Sequence, residues 1–274
     1  SMSEYTAIRL DKIGHVAEVV LNNPEKLNAM APIFFEEIGR VFKEIDADPE
    51  IRAVVLWAEG RLFTAGLDLK AAGQNVVGGG DNGSEGSRNF ELYQLIRRWQ
   101  DCFSGPELSR KPVIAAVHGH CIGGGVDLTT ACDIRLCTQD ATFSIHETKI
   151  AIVADVGTLQ RITAIVGKGA AREMAYTGKR ITADRALRWG LVNEVYPDKD
   201  SMLAAARAMA AEIAANSPLA VQGTKAVLQY SEEHSTHEGL EYVAQWNSSF
   251  LRSNDLVEAM QAFMEKRPPV FKGR

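Results

Sequence analysis

Cysteine is scarce in this 274-residue chain: there are four, Cys102, Cys121, Cys132 and Cys137, with no C-x-x-C pair, and each sits among apolar residues. That argues against a disulfide framework or a cysteine-based zinc site and for small buried thiols in a reducing compartment. No uninterrupted apolar run approaches the roughly 18 to 20 residues needed to cross a bilayer, so no membrane partner is expected. Positive charge is not in surplus either, since 30 Lys and Arg stand against 35 Asp and Glu for a net charge of −5. With the bases scattered, the chain lacks the footprint of a nucleic-acid binder. It has no G-x-S-x-G elbow and no G-x-G-x-x-G after a strand, and Gly123 to Gly125 are not followed by the Lys-Ser/Thr of a phosphate loop. His118, His120 and Cys121 have no second ligand pair at a usable spacing, so no metal is expected. Ser1-Met2 reads as a cleavage scar, no signal peptide follows it, and Phe271-Lys272-Gly273-Arg274 is not a peroxisomal tripeptide. The expectation from these ends is a cytoplasmic protein.

What the chain does have is concentrated in residues 111–157. An apolar, β-branched stretch, 112–117, reads as a buried strand that stops at His118-Gly119. Gly123, Gly124 and Gly125 then precede 126–132, whose apolar spacing suits a helix. Free backbone N–H groups and the positive end of the helix dipole therefore fall at the glycines and favour developing negative charge. Two short strands, 133–137 and 141–145, follow, the second running into Glu147, and Asp155 stands shortly after. Asp127, Glu147 and Asp155 thus occur in apolar or glycine-rich surroundings, where an ionised carboxylate is costly unless paired or used. Acids beside such a backbone point to proton transfer next to an anion hole. Each acid also has a structural reading: Asp127 as a first-turn helix acid, Glu147 as a loop acid bonded to backbone N–H groups, Asp155 as a helix cap.

Elsewhere, 8–10 and 16–21 read as a hairpin, and 53–57 as a second buried strand. Residues 32–46 form an amphipathic helix with a proline at its entrance and Ile33, Phe34, Ile38, Val41, Phe42 and Ile45 at helical spacing. In 60–70, Gly66 permits a tight bend that presents the Leu67 N–H. Residues 76–87 are too poor in apolar surface to fix a conformation and read as a mobile loop. The helix 89–103 carries Phe90, Tyr93, Leu95, Ile96 and Trp99, which either wall a pocket or join the core. Helices are expected at 158–166, 169–177 and 182–189. From residue 201 the chain turns alanine-rich and helical through 202–216, 218–230, 238–250 and 255–266.

The runs HGHCIGGGVDLTTACDIR and GRLFTAGLDLK resemble the crotonase (enoyl-CoA hydratase/isomerase) superfamily, and the likeness runs from about Ala17 to the C-terminus. The pairing of GGGVDL with ADVGTLQR is most similar to the dienoyl-CoA isomerase branch. The resemblance implies an α/β fold: a crotonase-like spiral of repeated ββα turns over 1–200, and a C-terminal helical trimerisation region over 201–274 that assembles a homotrimer or a homohexamer made as a dimer of trimers. It implies an acyl-CoA thioester substrate, with coenzyme A part of the substrate and no separate cofactor, and an oxyanion held by the backbone N–H groups of Leu67 and Gly124, with Gly125 the alternative to the second. Lys26, Ala29, Ala65, Asp68, Lys70, Gly125, Phe263 and Lys266 are the implied substrate or CoA contacts. Asp127, Glu147 and Asp155 are the implied catalytic acids, the last two moving the proton that shifts 3,5-dienoyl-CoA to 2,4-dienoyl-CoA.

A hydratase adding water to a 2-enoyl-CoA through Asp127 and Glu147 is the nearest rival reading, but hydratases of the superfamily carry a glutamate where this chain has Asp127, and the shorter acid argues against it. A non-catalytic acyl-CoA binding protein is the rival of another class, and retention of all three acids speaks against it. RNA binding would need a basic helix face, which 36–48 does not offer.

Overall fold

The computed structural model describes residues 4–76 and 83–274. The chain opens with an antiparallel hairpin, β1 (Ile8–Ile13) and β2 (Val16–Leu21). Helix α1 (Pro32–Ala47) follows, with proline in its first turn, and its three- and four-residue spacing gathers Phe34, Phe35, Ile38, Val41, Phe42 and Ile45 into one buried stripe. Burying side chains of this kind contributes about 1.5–3 kcal/mol each, so Ile38→Ala would cost roughly 2–5 kcal/mol once its cavity is included. Glu37 lies on the same buried face and accepts the N–H groups of Thr6, Ala7 and Ile8, which compensates its charge and ties the hairpin to the helix.

Strand β3 (Ala53–Ala58) is buried at every position. Val54, Leu56 and Ala58 join the core that contains the α1 stripe, while Ala53, Val55 and Trp57 join a second cluster on the other face of the sheet. Burial on both faces is why its sequence is an unbroken apolar run rather than an alternation.

After α2 (Leu69–Val76), α3 (Glu85–Phe103) and the short α4 (Gly105–Leu108), the chain coils through β4 (Val113–Val117), β5 (His120–Ile122), α5 (Gly124–Thr130), β6 (Ile134–Thr138) and β7 (Thr142–Ser144). It continues through α6 (Thr158–Val166), α7 (Lys168–Thr177), β8 (Ile181–Thr182), α8 (Ala183–Trp189) and β9 (Glu194–Tyr196). Successive coils place one strand in a six-stranded sheet, ordered β1-β2-β3-β4-β6-β9, and the next in a three-stranded sheet, ordered β5-β7-β8. All pairs of the large sheet after the first are parallel. In the coil that contains β3, the second strand shrinks to a single bridge between Thr64 and Cys121. This is the spiral of ββα turns that the resemblance implies.

Four helices close the chain: α9 (Lys199–Ala215), α10 (Pro218–Glu232), α11 (Thr236–Phe250) and α12 (Asn254–Glu265). Met202, Leu203, Ala206 and Ala210 of α9 pack on Val20, Val55, Ile114 and Leu136, covering the second face of the large sheet. The small alanines let the helix approach closely. Leu228, Leu240, Val257, Met260 and Met264 on α10 to α12 are exposed.

Three sequence expectations shift. Helix α3 begins at Glu85 because the Ser84 side chain accepts the Ser87 N–H as a cap, so the end of the stretch read as a mobile loop is helical; residues 77–82 of that stretch lie outside the described residues. The aromatic stripe of α3 divides, since Trp99 stacks on Phe35 at 4.4 Å while Phe90 and Tyr93 stack on each other and are exposed. Helix α5 starts at Gly124, within the glycines rather than after them.

Candidate active site

Segment 64–68 runs between two neighbours. On one side Thr64 N–H donates to the His120 carbonyl at 3.0 Å and Ile122 N–H to the Thr64 carbonyl at 3.2 Å; on the other, Met30 N–H donates to the Gly66 carbonyl at 2.8 Å and Asp68 N–H to the Met30 carbonyl at 3.0 Å. In this parallel pairing the residues flanking Leu67 make the bonds to Met30. The Leu67 N–H therefore faces away from Met30, and it has no hydrogen-bond partner among the described residues. Gly66 makes the bend possible, with φ at +89° and no room for a Cβ, which would lie 2.9 Å from the Ile122 carbonyl oxygen.

Strand β5 runs out into the glycine cluster beside this bend. A Cβ on Gly123 would lie 3.9 Å from the Gly66 Cα and 3.5 Å from Glu147 Oε1, so the two loops and the acid meet at one point. Gly124 and Gly125 are small because of what packs on them: an added Cβ would stand 2.6 Å from Met30 Sδ at the first and 2.4 Å from Thr64 Cγ2 at the second. As the first residue of α5, Gly124 has a free N–H without a partner among the described residues. Two unpaired backbone donors on adjoining loops form the kind of hole that holds a developing oxyanion.

Asp127 lies in the first turn of α5 and is only 1% exposed. Its Oδ1 accepts the N–H of Thr158, the first residue of α6, at 2.8 Å, while Oδ2 is buried with no partner among the described residues. Glu147 opens the 3-10 turn Glu147–Ile150 after β7, and its Oε2 is likewise buried without a partner. The two carboxyls are close enough for each to shift the proton affinity of the other. Burial pushes the Glu147 carboxyl up to about 8, reinforced by the charge of Asp127. Burial raises Asp127 as well, against the pull of Thr158. Two acids that cannot both ionise cheaply at short range hold one proton between them. Asp155, exposed just before α6, stands on the wall of a cavity of about 2140 Å³ lined also by α3, α10 and α11, and partial desolvation there raises its carboxyl. Its charge acts on both members of the pair.

Sequence reasoning missed several supports of this site. Thr158 N–H fixes Asp127, and Gln100 Nε2 of α3 donates to the Asp155 carbonyl at 2.7 Å. Neither contact has a local signal, because each joins parts of the chain 31 and 55 residues apart.

The implied CoA contacts scatter more widely. Lys26 ends the 3-10 turn Pro24–Lys26 and is exposed, Ala29 is half-buried between it and Met30, and Ala65 shares a cleft of about 590 Å³ with Leu27, Ile122, Arg61 and Arg180. Asp68 accepts the N–H groups of Lys70 and Ala71, which makes it the cap of α2, and Lys70 is exposed. Phe263, 82% exposed, and Lys266 stand at the end of α12 and do not line that cleft. His118 donates through Nε2 to the Gly60 carbonyl at 2.7 Å, a structural role. The described residues contain no group of three or more metal-ligating side chains, and none of their helices is long and apolar enough to cross a membrane.

The family model described as enoyl-CoA hydratase/isomerase matches residues 11–274. A mitochondrial Delta(3,5)-Delta(2,4)-dienoyl-CoA isomerase of Dictyostelium discoideum is 48% identical over 99% of this chain and 93% of its own length. A peroxisomal enzyme of the same name from Arabidopsis thaliana is 43% identical over 96% of this chain and 95% of its own. Among solved structures, an enoyl-CoA hydratase from Bacillus anthracis superposes with a TM-score of 0.88 at 31% identity, covering 98% of this chain and all of that one. The expectation of a cytoplasmic protein is overturned by the isomerases, which are named for mitochondria and peroxisomes; it rested on reading no organelle signal at the two ends of the sequence, which is not a property of the folded enzyme. By sequence and by fold, the chain belongs to the enoyl-CoA hydratase/isomerase family.

Proposed function

We infer that this protein isomerises 3,5-dienoyl-CoA to 2,4-dienoyl-CoA. The observation that carries the reading is the buried Asp127–Glu147 pair, with proton affinity raised, directly beside the Gly66 and Gly123 bends, and with Asp155 as a third acid in electrostatic reach. The names of the relatives point the same way.

The thioester carbonyl oxygen rests against the N–H groups of Leu67 and Gly124. With the shared proton on Asp127, Glu147 is a carboxylate more basic than a free one, and it removes a proton from C2. The C–H electron pair enters an extended dienolate whose oxyanion the two donors stabilise. As the carbonyl reforms, the double bonds move to C2 and C4, and Asp155 delivers a proton to C6. Glu147 ends protonated and Asp155 ionised; Asp155 regains its proton from water in the cavity it lines, and Glu147 gives its proton to solvent once product leaves. All of this is done by the chain's own groups and the substrate.

Residues 201–274 are proposed to build the oligomer, a trimer or a pair of trimers, on the core 1–200. The exposed Leu240, Val257, Met260 and Met264 support this, as does the position of Phe263 and Lys266, free to reach the CoA of a neighbouring subunit.

The test is a paired ultraviolet assay with 3,5-dienoyl-CoA and a 2-enoyl-CoA. A rising band of the diene conjugated with the thioester carbonyl, at a rate that Asp155→Asn lowers by about 100-fold, is the expected result. Rapid loss of the enoyl band, indifferent to Asp155→Asn, would assign the protein to hydration instead.

A further inference from the structure

Among the described contacts, Met30 touches both donor loops. Its backbone pairs with Gly66 and Asp68 on either side of Leu67, fixing where that N–H points. Its side chain, wholly buried, ends with Sδ in the space that a Gly124 side chain would fill, against the first residue of α5. The ring of Phe103 closes the same space, with Cε2 3.6 Å from the position of that absent Cβ. The two donors come from different coils of the spiral, and no hydrogen bond between Leu67 and Gly124 fixes their separation among the described residues. A flexible thioether that fills an irregular gap between backbones suits the task of a spacer.

We propose that Met30 is a positioning residue that sets the separation of the two oxyanion donors, holding Leu67 through its main chain and Gly124 through its thioether. This rests on the reading of those N–H groups as a thioester oxyanion hole. It does not depend on which acyl-CoA reaction the acids perform.

The prediction separates binding from polarisation. Truncating the side chain leaves the Leu67 pairing intact, because that is main chain, but releases the start of α5. A misplacement of a fraction of an ångström to one ångström in one donor lowers turnover by about 100-fold. The experiment compares wild type with Met30→Ala, Met30→Val and Met30→Leu. It measures kcat on 3,5-dienoyl-CoA, Kd for the product 2,4-dienoyl-CoA, which lies on the favoured side of the equilibrium, and the red shift of that ligand's absorption on binding, which reports how strongly its carbonyl is polarised.

Met30→Ala should lower kcat by about 100-fold and lose most of the red shift while Kd changes by less than about threefold, with Met30→Leu close to wild type in all three because it keeps the buried volume. Met30→Val, which keeps an apolar side chain in the core but removes the atoms that reach Gly124, carries the test if the alanine variant does not fold; about a tenfold loss and a reduced shift are expected. A folded Ala or Val variant with full red shift and near-normal kcat overturns the proposal. A wild-type protein that red-shifts the ligand yet does not turn over 3,5-dienoyl-CoA would instead remove the assigned reaction and leave the spacer role standing on its spectroscopic arm.

Discussion

Two of the places where the protein buries carboxylates treat them in opposite ways. Glu18 on β2, 2% exposed, accepts Trp57 Nε1–H at 2.8 Å and both Nε and Nη2 of Arg207 at 2.8 and 2.9 Å. Burial alone would raise its pKa, but the bonds from Arg207 and Trp57 prevail and hold it below the ordinary glutamate value. Asp127 and Glu147 are buried against each other with one oxygen apiece left without a partner, and both are raised. A carboxylate satisfied on every side is a structural member and has no proton to give. One left short of partners destabilises the fold and gains proton affinity, which is the condition for acid–base work near neutrality.

The contrast breaks most sharply in activity. Glu147→Gln removes the proposed base but keeps the shape, and kcat for dienoyl-CoA isomerisation should fall by about 1,000-fold, whereas Glu18→Gln should leave kcat per folded molecule unchanged. Equal losses in the two variants would erase the distinction.

Stability gives the next largest effect, in the opposite order. Glu18→Gln leaves the Arg207 guanidinium without its anion. Because Arg207 is 46% exposed, solvent screens the loss to about 1–2 kcal/mol, read as a midpoint shift in urea. The folded pKa of Glu18 is lowered, so its stabilising contribution is present above the unfolded value of 4.5 and disappears as pH falls through the folded one. The wild-type and Glu18→Gln curves should therefore converge in acid.

The last test sharpens the comparison through its sign. For Glu147 the folded pKa is raised from 4.5 to about 8, so the folded state's preference for the protonated form is complete below 4.5 and is lost as pH rises through 8. Glu147→Gln, neutral at every pH, should match wild type near pH 4.5 and have the higher Tm at pH 9. A variant less stable than wild type at pH 9 would mean that the Glu147 carboxylate is fully satisfied after all.

Much of the fold can be read from local pattern, because β3 is buried on both faces and writes an unbroken apolar run, and α1 writes its buried stripe at helical spacing. Strand β5 is three residues long and too short to have a period, and the Thr64 bridge that pairs with it is a single residue. Neither could be found without the tertiary partner. The three acids were legible because ionisable groups stood in apolar or glycine-rich surroundings. Their supports were not: the value of Thr158, Gln100 and Met30 lies in which distant atom each one touches, and a threonine at a helix start, a glutamine inside a helix and a methionine before a proline-led helix look ordinary. In the sequence the glycines at 124 and 125 signal free backbone, and their second reason, the close packing of Met30 and Thr64, appears only in three dimensions.

The parts of the site are dealt out one coil at a time. Leu67 follows β3, Gly124 and Asp127 follow β4 and β5, and Glu147 and Asp155 follow β6 and β7. Neighbouring strands of a sheet stand about 4.8 Å apart, so the spiral's pitch acts as a gauge block that spaces donor, donor and acid before any side chain is chosen. Loops at the outer edge of a coil can lengthen or change composition without altering that gauge. A slip of one coil along its neighbour cannot, and it would disable the chemistry while leaving every catalytic residue in the sequence.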